Sequence, residues 1–362
     1  MKLNNLRLVN FKNHLSSAWD FKKRINCFIG HNGSGKTNIL DAIHYLSLTK
    51  SYFNSSDMLN LNFTADSFSI KGEFESQEIS SEILCVFDKK PLKLFKKNGK
   101  KYKRFSDHIG SYPVIFISPT DINLINQSSD IRRRYVDMGI AQFDKSYLKN
   151  LINYNKTLKQ RNSLLKHFSE SGSFDEMSVN TYNEVLVGLG EKIYNDRKEY
   201  IDNLLPIFKN YYYKISQKDE LVDIQYRSHL NDDKFLDLLE ENISRDIKSH
   251  ITSSGIHKDD FIFTLKDHSI KRHGSQGQQK SFVISLKLSQ FDFIKNNIKI
   301  SPILLLDDLF DKLDETRIKC LLQFVKERVF NQVFITDTNE IRTRGLMEEI
   351  GVDYNLFEII DD

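Results

Sequence analysis

Residues 30–37 read Gly30-His31-Asn32-Gly33-Ser34-Gly35-Lys36-Thr37, a complete Gly-x-x-x-x-Gly-Lys-Thr loop. Each fixed position has a physical job. Glycines let the backbone curl until its N–H groups converge on phosphate oxygens. The lysine then reaches the β- and γ-phosphates, and the threonine hydroxyl ligates Mg²⁺. The flanks agree. Ile25-Asn26-Cys27-Phe28-Ile29 is a short apolar run suited to a buried strand. Ile39, Leu40, Ile43 and Leu46 recur at helical spacing, so a helix N-terminus that includes Asn38 would face the phosphates. The chain is therefore expected to bind ATP with Mg²⁺.

A second half of that site is readable downstream. Ile303-Leu304-Leu305-Leu306-Asp307-Asp308 is an apolar strand ending in two acids. In phosphate-loop ATPases the strand's last carboxylate helps hold Mg²⁺, and the next one orients or polarises the attacking water. Asp307 and Asp308 fit those roles, and Lys36 completes the expected catalytic set. About thirty residues earlier, Gly274-Ser275-Gln276-Gly277-Gln278-Gln279-Lys280 opens a helix. Ser275 and Gly277 there read either as a second phosphate-facing surface or as a plain helix cap.

Composition narrows the class. The chain has 362 residues, enough for about two domains, and is 40% apolar and 28% charged, as globular proteins are. No signal-like or bilayer-length apolar run is found, and Cys27, Cys85 and Cys320 are scattered as reduced thiols would be. A cytoplasmic protein is expected. Net charge is only +3, so contacts to nucleic acid must come from local patches. One patch spans Lys89 to Arg104, with Asn98-Gly99 at its centre, the favoured pair for a tight hairpin. A phosphate-binding tip and a merely solvated hairpin both remain open.

Residues 1–121 read as strand-rich apart from the helix after the loop. From about Asp130 the texture becomes helical, with Leu148, Leu151, Ile152, Asn155, Leu158, Asn162 and Leu165 marking one helix face. Strand character returns near Phe261–Leu265. The expected fold is α/β, a nucleotide-binding head split into residues 1–121 and 248–362 by a mainly helical arm at 122–247.

The Ser275–Gln279 segment resembles the Leu-Ser-Gly-Gly-Gln element of the ATP-binding-cassette ATPases. Other segments narrow the resemblance to the RecF recombination-repair proteins within the SMC-like cassette group. These are Leu6–Asn13, Phe116–Asp121, Arg132–Asp137, Tyr154–Asn162 and Gly255–Asp260. The resemblance covers essentially the whole chain. It implies a homodimer closed by ATP, in which Ser275, Gly277 and Gln278 of one copy meet the nucleotide held by the other, with Leu313-Asp314 in the dimer loop. It also implies a weak ATPase switch that binds single-stranded DNA and single-strand/double-strand junctions at gaps. Such proteins help mediators of the RecO/RecR type load RecA in replication, repair and the SOS response.

Departures are visible too. Asp308 stands where most cassette ATPases carry Glu, and Thr336-Asp337-Thr338 occupies the place of the usual histidine. Thr336 or Asp337 could then meet the γ-phosphate or its water. DNA contacts are expected from Arg132 and Arg133, and from the helical stripe Lys149, Lys156, Lys159 and Lys166. A solvated helix face is the plainer reading of that stripe, and an internal ion pair is the plainer reading of the arginines. An SMC-like ATPase serving a nuclease and a membrane-transporter subunit are the competing functions.

Overall fold

The computed structural model describes residues 1–90, 92–310, 313–327 and 329–360. Two units emerge: Met1–Ile122 with Asn210–Asp219 and Ser275–Asp362, and Asn123–Lys209 with Glu220–Gly274.

In the first unit, a parallel sheet runs in the order Tyr354–Glu358, Ile25–Ile29, Gln332–Asp337, Ile303–Asp307, Val114–Ile117. Its three inner strands and the edge strand Val114–Ile117 are buried at every residue, as expected of parallel strands covered on both faces. The C-terminal ends of Ile25–Ile29 and Ile303–Asp307 carry the phosphate loop and the acid pair, where open parallel sheets bind ligands. A six-stranded antiparallel sheet forms the rest of the strand material. Its strand Ser67–Ser76 alternates, burying Phe68, Ile70, Gly72 and Phe74, because only one face meets the core.

The lysine-rich segment is a hairpin, as expected. Leu92–Lys97 and Lys100–Lys101 pair across Asn98 (φ 49°) and Gly99 (φ 77°), both left-handed as the tight turn demands. Lys93 turns inward to Asp57, at 3.0 Å, and Lys89 pairs with Asp66. Lys97, Lys100, Lys101, Lys103 and Arg104 are exposed, with no carboxylate partner among the described residues.

The second unit is built around helix Lys145–Ser171 and the part of helix Glu176–Ser216 that ends at Lys209. Its boundaries correct the expected 122–247 arm. Strand Val222–Arg227 pairs antiparallel with Asp260–Leu265, so this hydrogen-bonded sheet keeps residues 248–274 with the second unit. Residues Asn210–Asp219 belong to the first unit because Tyr211 packs edge-on against Phe324 (5.4 Å) and Tyr212 against Phe282 (6.3 Å).

The expected face of helix Lys145–Ser171 is corrected too. The buried stripe is Tyr147, Leu148, Tyr154, Thr157, Arg161, Leu165 and Phe168, whereas Ile152 and Asn155 are exposed. Arg161 is fully buried and satisfied by Asn183 (2.9 Å), Asp246 (2.8 Å) and Thr252 (2.8 Å). A polar residue at a core position hides the true face from any reading of apolar spacing.

Buried histidines give this chain an acid-sensitive core. His44, on the helix after the phosphate loop, sets its ring edge on Tyr52 and places Nδ1 3.0 Å from the Lys50 carbonyl. A carbonyl only accepts, so Nδ1 carries the proton. Burial pushes the His44 pKa down to about 4. The unfolded chain therefore takes the proton first, and stability present above about pH 6.5 is lost as pH falls towards 4. His44→Asn should remove about 2 kcal/mol of that loss. Melting curves between about pH 7 and 5 check this, and an unchanged slope in the variant would contradict it.

Candidate nucleotide site

The loop needs its glycines for space as well as for curvature. A Cβ on Gly35 (φ 97°) would fall 2.5 Å from the Asn13 amide and 2.8 Å from His14 Nε2. These two residues follow the opening strand Lys2–Phe11 and brace the loop from outside. His14 Nε2 lies 3.1 Å from the Gly35 carbonyl, and Asn38 Nδ2 donates to Asn13 Oδ1 at 2.7 Å. A Cβ on Gly30 would strike the Ile359 carbonyl at 2.4 Å, because the chain after strand Tyr354–Glu358 crosses there. His14 was not legible from the motif, since it lies one residue beyond the recognised opening segment.

Within the loop, Lys36 Nζ donates to the carbonyls of Gly30 (2.8 Å) and His31 (2.6 Å). His31, Asn32 and Gly33 form the exposed crown. Ser34 Oγ is buried with no hydrogen-bond partner among the described residues. A buried loop hydroxyl with no internal partner suits a ligand oxygen.

The structure brings the two distant halves together. Thr37 Oγ1 donates to Asp307 Oδ1 at 2.6 Å. Burial raises the Asp307 pKa, against the bonds from Thr37 and Thr336 that favour its charged form. A hydroxyl and a buried carboxylate side by side are hard oxygen donors of the kind Mg²⁺ takes, with water and phosphate filling its remaining positions. Asp308 follows in a left-handed conformation (φ 45°), with its N–H on Thr336 Oγ1 at 3.0 Å. Left-handed backbone at a residue with a Cβ costs about 1 kcal/mol or more, and such positions gather at functional sites.

Thr336 and Asp337, the residues in place of the cassette histidine, both have partners within the chain. Thr336 Oγ1 donates to Asp307 Oδ1 at 2.9 Å and accepts from Asp308, so it holds the acid pair in place. Asp337 is spent on the next helix. It accepts from the N–H groups of Thr338 (2.7 Å) and Asn339 (3.3 Å), from Arg342 (2.5 Å) and from Thr343 Oγ1 (2.8 Å).

Ser275 caps helix Gln276–Ile298. Its Oγ accepts from Gln278 N at 3.2 Å, while Gln278 Oε1 accepts from Ser275 N at 2.8 Å, a reciprocal capping box. The plain-cap reading is thus structurally satisfied, and the helix N-terminus it presents is also an anion-favouring surface. Arg317 lies against Gly277, its guanidinium 3.0 Å from where a Cβ would stand. The same guanidinium donates to Ser281 Oγ at 2.7 Å and pairs with Asp314, the cap of helix Glu315–Lys326. One side chain thereby fixes the Leu313-Asp314 turn to helix Gln276–Ile298, the signature helix, so called for the cassette element that its first residues resemble. Asp311 and Lys312 of the expected dimer loop lie outside the described residues.

The second unit redistributes its expected DNA contacts. Arg132 forms a fork with Asp260 (2.7 and 3.0 Å) and donates to the carbonyls of Leu124 and Gln127. Arg133 donates to Ser129 Oγ and to the Asp259 carbonyl. These bonds correct the picture of Arg132 as a phosphate contact, because its guanidinium already has internal acceptors. Lys149, Lys156, Lys159 and Lys166 are all exposed on one helix, and Lys166 pairs loosely with Glu170 at 3.7 Å. His257 is structural, with Nδ1 2.9 Å from Tyr154 Oη and Nε2 2.8 Å from the Thr252 carbonyl. No helix among the described residues is long and apolar enough to cross a membrane.

Comparison with known proteins agrees with this architecture. A family model described as an AAA ATPase domain matches residues 1–342. The DNA replication and repair protein RecF of Flavobacterium johnsoniae is 45% identical over 359 residues, covering 99% of this chain and 100% of that one. A solved structure of the recombination mediator protein RecF with ATPrS superposes with a TM-score of 0.88 at 29% identity, covering 99% of this chain and 96% of the other. A second, of RecF with ATP, gives 0.87 at 30% identity, over 93% and 92% of the two chains. With relatives this similar over their full length, and an AAA ATPase domain across most of its own, the chain belongs to the RecF family of DNA replication and repair proteins.

Proposed function

We propose that this chain is an ATP-gated DNA clamp. Each copy holds ATP and Mg²⁺ on Gly30–Asn38 and Asp307, and two copies close head to tail. Ser275, Gly277 and Gln278 of one copy then meet the γ-phosphate bound by the other. Thr37 and Asp307 would hold Mg²⁺, which would supply charge neutralisation on the phosphates. Asp308 orients the attacking water, and its side chain, one methylene shorter than Glu, keeps hydrolysis slow. Hydrolysis reopens the pair, so the differential affinity of the ATP and ADP states sets residence on DNA.

The observation that carries this reading is the 2.6 Å bond between Thr37 and Asp307. It joins the metal-binding hydroxyl of the loop to the strand-end acid, in a chain whose full-length relatives are solved with ATP. DNA phosphates fall to the exposed lysines Lys149, Lys156 and Lys159, with the hairpin tip as a further contact. Contacts of this kind read backbone and shape, not base identity. In the cytoplasm the clamp acts at gaps and single-strand/double-strand junctions during repair and replication. There it works with RecO/RecR-type mediators, in the pathway to which the solved relatives are assigned, and helps load RecA.

Ser275→Arg tests the composite site. A bulky cation at the signature cap should leave ATP affinity of the single copy within about twofold, since its own loop is untouched. ATP-dependent self-association, followed by light scattering, should fall by a factor of about ten or more (about 1.4 kcal/mol). Normal ATP-dependent pairing of this variant would count against the shared site.

A further inference from the structure

The turn after strand Val114–Ile117 carries Asp121, and the structure places it in a buried cluster that the nucleotide site does not use. Lys287, on the signature helix, is 5% exposed and lies 2.9 Å from Asp121 Oδ1. Tyr52 Oη donates to the same Asp121 oxygen and accepts from Lys287 Nζ at 2.8 Å. The other carboxylate oxygen of Asp121 accepts from Ser118 N at 2.8 Å. Tyr52 stacks flat on Phe116, at 4.4 Å, which fixes its ring.

The same tyrosine is tied to the phosphate-loop helix by its backbone. Tyr52 N donates to Asp41 Oδ1 at 2.6 Å, and Asp41 pairs with Lys12 at 2.6 Å. Asp41 sits one turn after Thr37 on the helix that starts at the loop. The strand before that turn, Val114–Ile117, pairs in register with Ile303–Leu306, which leads to Asp307. A continuous run of bonds therefore links the loop helix, through Asp41, Tyr52 and Asp121, to Lys287. That residue lies roughly three turns below Ser275 on the signature helix.

A buried ion pair is a poor stabilising device, because desolvation takes back most of the Coulomb gain and an apolar pair of similar size often does as well. Its use here calls for another role. We infer that Lys287 is a positioning residue: through Asp121 and Tyr52 it transmits the nucleotide state of the phosphate loop to the signature helix of the same copy. This inference rests on the proposed ATP switch but not on pairing of two copies, since every bond in the run lies within one chain.

The test is amide hydrogen exchange of helix Gln276–Ile298 in the full chain with Mg²⁺, with and without ATP. It is run at a protein concentration where light scattering reports single copies. In the parent protein ATP should slow exchange in this helix at least about threefold. Lys287→Met, and the double variant Asp121→Leu/Lys287→Met that leaves no orphan charge, should bind a fluorescent ATP analogue within about twofold of the parent. Both should lose the ATP-dependent slowing, and Lys287→Arg should regain most of it. A parent helix indifferent to ATP would overturn the inference, as would slowing retained in both variants. So would loss in the double variant that Lys287→Arg shares. If the parent shows the slowing yet never self-associates with ATP, the two-copy clamp fails and the inference stands.

Discussion

Lys36→Ala should abolish ATP binding, lowering affinity by a factor of 100 or more (about 3 kcal/mol). The expected size follows from the site. Lys36 is 7% exposed and is held over the loop by the Gly30 and His31 carbonyls. A cation so placed, with little water to screen it, makes charge-assisted bonds to the terminal phosphates that a neutral residue cannot replace. The fold should persist, because strand Ile25–Ile29 and helix Lys36–Leu48 are buried by apolar residues and not by this ammonium. Titration with a fluorescent ATP analogue reads the loss, and a melting curve beside it separates binding from folding. Affinity within about threefold of the parent would contradict the assignment.

The largest stability loss should come from Arg197→Met, in the second unit. Its buried guanidinium holds Asp137 at 2.9 and 3.0 Å, Asp259 at 3.0 Å and the Ile256 carbonyl at 2.8 Å. Tyr147 and Tyr226 complete the network, each donating at 2.5 Å to one of these carboxylates. Burial already raises the Asp259 pKa, opposed by Arg197. Removing the cation leaves two acids without their counter-charge, which costs about 3–5 kcal/mol. For a unit of this size the helical melting transition should drop by roughly 10 °C. Arg197→Lys should lose part of that, since an ammonium cannot reproduce a planar fork shared between two carboxylates. Circular dichroism at the helical band reads both variants. A Met variant melting with the parent would show that the network is not holding the unit together.

Residues whose role is set by local chemistry were legible in the sequence. The loop Gly30–Thr37, the acids closing Ile303–Asp307 and the left-handed Asn98-Gly99 turn each follow from constraints on neighbouring residues. Groups whose role depends on a distant partner were not. Arg132 meets Asp260 across 128 positions, and Thr336 serves Asp307 only because two parallel strands lie in register. Arg161 is a charged residue in the core, and its partners Asn183, Asp246 and Thr252 come from other segments of the chain. The same cause moved the domain boundary. Strand Val222–Arg227 does alternate Val222, Ile224 and Tyr226 with Asp223, Gln225 and Arg227, but only its pairing with Asp260–Leu265, far along the chain, shows which segments it holds to the second unit.

The most direct test of an ATP-gated clamp is fluorescence anisotropy on gapped DNA, with Mg²⁺ and either ATP or ADP, at about 50 and about 200 mM salt. With ATP, binding should be tight and should weaken at least tenfold between the two salts, because phosphate contacts release counterions. With ADP it should be weaker by a factor of about ten or more. Replacing Lys149, Lys156 and Lys159 together by Glu should remove most of the ATP-dependent signal while leaving ATP affinity unchanged. Equal affinity with ATP and ADP would contradict the switch, and an unaltered response in the triple variant would move the DNA away from this helix.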